Sequence, residues 1–188
     1  IDSANTYSQV ATGDLHSCAI TTSGILKCWG YNDYGRLGDG TTTARSLPTV
    51  IDPGFSYDQV SVGIYHSCGI TTLGVLKCWG YNALGRLGDG STTDRWSPVI
   101  IEWGTSFKAV SAAQNHTCAI TTTGALKCWG YNERGILGDG TTENRLSPKT
   151  IDLEVNDSQV STGVTHTCGI TTSGVAKCWG DNQSGELG

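Results

Sequence analysis

The stretch HSCAITTSGILKCWGYN, His16 to Asn32, returns as HSCGITTLGVLKCWGYN from His66 to Asn82, as HTCAITTTGALKCWGYN from His116 to Asn132 and as HTCGITTSGVAKCWGDN from His166 to Asn182. Each return falls 50 residues after the last, with no insertion or deletion. A fixed period of this size marks a repeat architecture, in which each unit buries its faces against its neighbours rather than in a private core. The chain therefore reads as one array, 1–188, with repeats at about 1–50, 51–100, 101–150 and a shorter 151–188.

Within the quoted stretch two cysteines stand ten residues apart, and zinc thiols are usually much closer than that. A hairpin explains the spacing. With TTSG as the connection and Gly24 left-handed, a three-residue loop with a bulge sets Cys18 opposite Cys28, and likewise Cys68 opposite Cys78, Cys118 opposite Cys128 and Cys168 opposite Cys178. Opposed residues lie roughly 4.5 to 5.5 Å apart at Cα, within reach of a disulfide. A ring of this size contributes roughly 2.5 to 3 kcal/mol in the chain-entropy model, and four of them point to an oxidising compartment. The alternative is four pairs of reduced core cysteines, since free cysteine is among the most buried residues.

Outward from the hairpin, each unit begins with a β-prone segment: SQVATG at Ser8, DQVSVG at Asp58, KAVSAA at Lys108 and SQVSTG at Ser158. Hairpin strands near His16 to Thr21 and Ile25 to Gly30 follow, then a Gly-rich turn region from Tyr31 and the segment RSLPTVI, which Pro48 places at a sheet edge. That makes about four short strands per unit, and no window has helical periodicity. In VLKCWG, Leu76 and Cys78 face one way and Val75 and Trp79 the other, with Lys77 the lone charge, so both sides have bulk to bury. Sheets covered on both sides and repeated in this way predict an all-β fold, the blades of a β-propeller. Small residues at Ala19, Gly69, Ala119 and Gly169 are expected to let blades approach closely. Trp29, Trp79, Trp129 and Trp179 are expected to fill the space between blades, with an exposed sugar-binding row as the alternative.

The WD dipeptide and the Gly-Gly pair of kelch blades are absent. Instead GDLHSCAI at Gly13 and WGYNDYGRLGDG at Trp29, with Pro48 after them, resemble the regulator-of-chromosome-condensation repeat in a bacterial-type, Cys-paired form. All four copies follow the pattern, with Ala113 replacing its first Gly and Asp181 its Tyr. The resemblance implies seven blades, so four repeats would be part of a ring completed by further blades or by copies associating through open edges. It also implies a protein-binding platform, one family member being a secreted β-lactamase inhibitor. A third implication is guanine-nucleotide exchange on a small nuclear GTPase, against which the paired cysteines and the lack of a basic tail argue. The absence of Met, an Ile1 with no secretory-signal character and a last copy that stops before its GDG turn suggest an interior segment of a longer or processed polypeptide.

A net charge of −5 without any basic run argues against nucleic acid and anionic membrane as partners. No apolar run of about 18 residues is present, so membrane insertion is not expected. His16, His66, His116 and His166 recur in one register; a ring of imidazoles holding a metal or anion is one reading, and strand-initiating histidines bonded to nearby backbone is the other, favoured because a unit-building role must repeat. The NxxGxLGDGTT loop from Asn32 lacks the ligands of a calcium site and reads as turn chemistry. Asn115, Asn156 and Asn182 begin glycosylation sequons.

No catalytic constellation appears, and neither a metal nor a cofactor is expected. Variation clusters at two places per unit: Asp14-Leu15, Ile64-Tyr65, Gln114-Asn115 and Val164-Thr165 before the hairpin, and Asp33-Tyr34, Ala83-Leu84, Glu133-Arg134 and Gln183-Ser184 after it. Variable side chains on an invariant frame are how a repeat protein presents a binding surface. The candidate surface is therefore Asp33, Tyr34, Tyr65, Leu84, Glu133 and Arg134, with Trp96 and Trp103 as non-repeating aromatics, Trp96 in a loop. The expected protein is a non-enzymatic, secreted, cell-surface or periplasmic module with a protein partner. The alternative is a structural subunit assembling edge to edge into a fibre or larger ring.

Overall fold

The computed structural model describes residues 5–151 and 156–188. Its building block is the hairpin. Ile25 N bonds back to the hydroxyl of Thr21 at 3.0 Å, Gly24 adopts φ 83°, and the three-residue turn between them sets Cys18 directly across from Cys28. All four pairs are disulfide-bonded at a Cα separation of 4.1 Å, closer than the expected range, and none of the cysteines is free.

The strands are β1 (Tyr7–Thr12), β2 (His16–Thr21), β3 (Leu26–Gly30), β4 (Arg45–Val50), β5 (Tyr57–Val62), β6 (His66–Thr71), β7 (Leu76–Gly80), β8 (Arg95–Ile100), β9 (Phe107–Ala112), β10 (His116–Thr121), β11 (Leu126–Gly130), β12 (Arg145–Thr150), β13 (Asp157–Thr162), β14 (His166–Thr171) and β15 (Ala176–Gly180). They form antiparallel meanders β1–β4, β5–β8, β9–β12 and β13–β15, one sheet per repeat. Outside them lie two short 3-10 turns, Asp33–Gly35 and Ala83–Gly85. Pro48, Pro98 and Pro148 sit on the fourth strand of their sheets, where the missing N–H costs no ladder bond. First strands of successive blades stand side by side along the inner edge, and Trp96, expected in a loop, lies on β8.

Blades meet through apolar plugs and side-chain bonds that reach from one repeat to the next. Trp79 and Trp129 are fully buried, Trp79 among Leu26 and Leu37 of the preceding repeat and Ile51 of the link between the two, and Trp129 among Leu76, Leu87 and Ile101 in the same way, whereas Trp29 and Trp179 remain partly accessible. Gly38 lies beneath Trp79: a Cβ there would fall 2.7 Å from the indole, on a residue with φ 83°. Gly38→Ala is therefore expected to cost about 3 kcal/mol, from the left-handed backbone and the overpacked ring together. A stability loss from urea titration of less than about 1 kcal/mol would contradict this packing.

On the inner strands Gln9 imitates a neighbouring strand, accepting from Val60 N at 2.9 Å and donating to Val60 O at 3.2 Å. Gln59 repeats the contact to Val110 N at 2.9 Å. Ala109 has no side-chain amide to offer, and Ser111 holds the next seam by accepting from Thr162 N at 3.1 Å.

Two further expectations need correction, and one buried charge takes a partner that the sequence does not assign. The imidazoles do not bond backbone: His16 Nε2 meets Ser67 Oγ at 2.8 Å, His66 Thr117 Oγ1 at 2.7 Å and His116 Thr167 Oγ1 at 2.9 Å, each across a blade seam. Gly69 makes room for the Tyr57 ring of its own blade rather than for a neighbouring blade; a Cβ would come within 2.9 Å of it. Finally, Lys77 is buried, and its ammonium lies 2.6 Å from Asp52 Oδ2 and 3.2 Å from the Phe55 ring centroid, tying the blade to the segment that precedes it.

Candidate functional site

Antiparallel meanders place the β1–β2 and β3–β4 connections, and their equivalents, at one end of the blades. The hairpin turns and the links between repeats lie at the other. Both variable clusters of the sequence consequently reach one loop face, although they are some 18 residues apart in the chain.

A rigid frame carries that face. Asn32 is buried; its Oδ1 accepts from Leu37 N at 2.9 Å and its Nδ2 donates to Asp39 Oδ1, Thr41 O and Thr43 O at 3.0 to 3.1 Å. Asp39 also accepts from Arg45 Nε at 2.7 Å, and Asp89–Arg95 and Asp139–Arg145 repeat the pair at 2.6 Å. Burial pushes the Asp139 carboxyl upward, but hydrogen bonds from Thr141, Arg145 and Asn132 outweigh it and hold the pKa at about 2. The Gly-Asp-Gly loops are thus closed turns whose carboxylates are already occupied.

From this frame Tyr34 projects outward. Its backbone is left-handed, φ 62°, as is that of Leu84 at φ 67°; for side-chain-bearing residues that conformation costs about 1 kcal/mol or more. The Tyr34 ring lies 4.4 Å, centroid to centroid, from Tyr81, and Tyr81 lies 5.9 Å edge-on from Tyr65, so three residues from two repeats make one continuous array. Tyr34 is 44% exposed, and Leu15, Tyr31 and Leu84 widen the apolar surface.

Beneath the rings lie two buried guanidiniums. Arg36 Nη1 donates to Ile64 O at 3.0 Å and Arg86 Nη1 to Gln114 O at 2.7 Å, each across a seam. Arg36 stacks on Tyr31 and Tyr65 at 5.0 and 5.5 Å, and Arg86 on Tyr81 and Tyr65 at 4.6 and 5.6 Å. Burial lowers the Arg86 pKa to about 10, which leaves it charged at neutral pH. The third repeat has Ile136 at this position, so the tyrosine and arginine layers coincide only in the first two seams.

The candidates fall into three groups. Tyr34 and Tyr65 join one array through Tyr81, and Asp33, which accepts from the Tyr31 hydroxyl, and Leu84 lie in the loops that flank it. Glu133 and Arg134 stand on the same face one repeat along, Glu133 bonded to the Tyr131 hydroxyl at 2.9 Å and Arg134 paired with Asp181. Trp96 covers Gly35 at the outer rim, its carbonyl accepting from Gly40 N at 2.8 Å; Trp103, 83% exposed, is on the opposite face and joins nothing in the array. Tyr31 and Tyr81 were passed over because they belong to the repeating pattern. The signal that could have found them is their position two residues before each variable pair.

Models of the regulator of chromosome condensation (RCC1) repeat match four times, at residues 7–36, 57–86, 107–136 and 158–186, and a second model of that repeat matches 23–70, 74–120 and 123–170. Human E3 ubiquitin-protein ligase HERC2 is 50% identical over 42 residues, 22% of this chain and 1% of that protein. Among solved structures, human WBSCR16 is 25% identical with a TM-score of 0.86, covering 100% of this chain and 51% of that one. Yeast RCC1 (Prp20), solved with Kap60, is 18% identical with a TM-score of 0.82, covering 97% and 45%. The chain thus spans a small fraction of the curated relative and about half of these structures. Repeats matched over most of its length, and blades that superpose on those of known members, place this chain in the regulator of chromosome condensation repeat family.

Proposed function

We propose that the chain is a non-catalytic interaction module that grips a protein partner with its loop face. The Tyr34–Tyr81–Tyr65 array carries this reading. Tyrosines supply large, stiff contact area and dominate interface hot spots, and Tyr34 is held outward by a left-handed turn that recurs at Leu84, with its ring against Tyr81. Four disulfides fit an oxidising compartment, and we assign the module to an exported protein.

A photo-reactive phenylalanine analogue at Tyr34, compared with one at Trp103 on the opposite face, tests the reading in the secretions of the producing cell. A saturable adduct is expected from position 34 only. Tyr34→Gly and Tyr81→Ala are each expected to keep the fold within about 1 kcal/mol while weakening the partner at least roughly tenfold. Equal labelling from both faces, or full affinity in both variants, would remove the loop face from consideration.

A further inference from the structure

The chemistry of the partner is legible in the charge around the array. Connections of the loop face hold ten of the chain's acidic residues, three arginines and no lysine. Adding Arg45, Arg95 and Arg145, which neutralise Asp39, Asp89 and Asp139, still leaves the face acidic. Asp14, Asp33 and Glu133 are exposed, and among the described residues none of them pairs with a lysine or arginine. All six lysines lie elsewhere, four of them in the third strands of the blades.

The middle of the face adds a second preference. Tyrosine rings present a negative face to an approaching cation, and guanidinium stacks on them better than ammonium because it is planar and more weakly hydrated. The chain already uses that pairing one layer down, with Arg86 4.6 Å from the Tyr81 centroid. Arg36 and Arg86 oppose a second cation from below. Their charge is smaller than that of the surrounding carboxylates, and Asp33 and Asp94 act on them directly.

Resting on the proposed binding face, we propose that its occupant is an arginine-bearing segment of the partner, with a guanidinium stacked on the Tyr34–Tyr81 array and further positive charges set against the rim formed by Asp14, Asp33 and Glu133. Aromatic contact supplies the lifetime of such a complex, and the carboxylate rim supplies its rate of formation and its salt dependence.

Three capped hexapeptides test the assignment by NMR on the intact chain: Pro-Arg-Leu-Pro-Arg-Leu and its lysine and glutamate counterparts. The arginine peptide is expected to move the ring resonances of Tyr34, Tyr65 and Tyr81 and to bind roughly tenfold more tightly than the glutamate peptide at low salt. The gap should narrow as ionic strength rises from about 0.02 to 0.3 M, and also in Asp14→Asn/Asp33→Asn, whose fold is verified by near-UV circular dichroism. Glutamate binding as tightly as arginine would overturn the partner chemistry and leave the face itself standing. Lysine matching arginine would overturn the stacked guanidinium. If no peptide moved any of these tyrosines, the face and the inference would both fall.

Discussion

Between pH 6.5 and 4 the array is expected to lose about 6 kcal/mol of stability through His16 and His116 alone, as much as a small domain possesses. The seam geometry is the reason. Ser67 and Thr117 spend their hydroxyl protons on the carbonyls of Arg36 and Arg86 at 3.0 and 2.8 Å, so His16 and His66 must donate from Nε2. Nδ1 of His16, His66 and His116 is then the bare nitrogen, and it is buried without any partner among the described residues. A second proton would enter a dry seam with nothing to accept its hydrogen bond. Burial, with Arg36 adding repulsion at His16, lowers the pKa to about 3 there and to about 4 at His116, where burial leads and His166 contributes; His66 moves the same way, by burial first and then Arg86.

The sign follows directly. The folded state binds these protons less readily than the unfolded chain, so their contribution is complete above the ordinary histidine range, near 6.5, and disappears as pH falls towards the folded values. Stability from urea titrations should fall with a slope of about two protons near pH 5 from His16 and His116, with His66 adding in the same direction, and with about one proton less in His116→Gln, which keeps a donor for Thr167. Stability that held steady from pH 7 to 4.5, or an unchanged slope in the variant, would show that the seams do not depend on neutral histidines. The loop frame should persist longer, because Asp139 stays ionised until about pH 2.

Asp52→Ala is expected to cost about 3 to 5 kcal/mol, the usual penalty for stranding a buried charge. Lys77 has a side chain only 5% exposed, and Asp52 also receives the Tyr57 hydroxyl at 2.6 Å, so the substitution orphans two donors together. Removing the ammonium as well, in Asp52→Ala/Lys77→Met, should return most of the loss, since a methionine can lie along Phe55 without a counter-ion. A double-mutant cycle in guanidinium chloride would read a coupling of about 2 kcal/mol or more. Simple additivity would mean that water reaches the pair and that the seam is wetter than the geometry indicates. Glu102 with Lys127 repeats the ion pair one blade on, but with Phe107 and Thr105 in the places of Tyr57 and Phe55, so a smaller loss is expected there.

Fold and frame were open to reading for reasons that differ by residue. The Cys18–Cys28 register follows from loop length and from Gly24, both local, and Pro48 on an outer strand follows from its missing donor. The partner of Lys77 was out of reach because a charged residue within an apolar strand gives no sign of a carboxylate 25 positions back in the chain. The histidines misled in part: their recurrence pointed correctly to a structural role but said nothing of an acceptor 51 residues ahead, in the next blade. Tyr81 was hidden by its own regularity, because a repeated residue becomes part of a surface only where Tyr34 and Tyr65 happen to meet it.

The four near-identical copies were enough by themselves to determine the all-β blades, their disulfide-closed hairpins and the residues that vary between them, because strand period, turn chemistry and repetition act over a few neighbouring positions. Tertiary structure alone decided which of those variable residues share a surface, which charges are buried in pairs and which imidazole nitrogen is left bare. These depend on the distance and angle between one blade and the next, which are set by how Trp79 and Trp129 seat against the preceding repeat rather than by any residue's sequence neighbours.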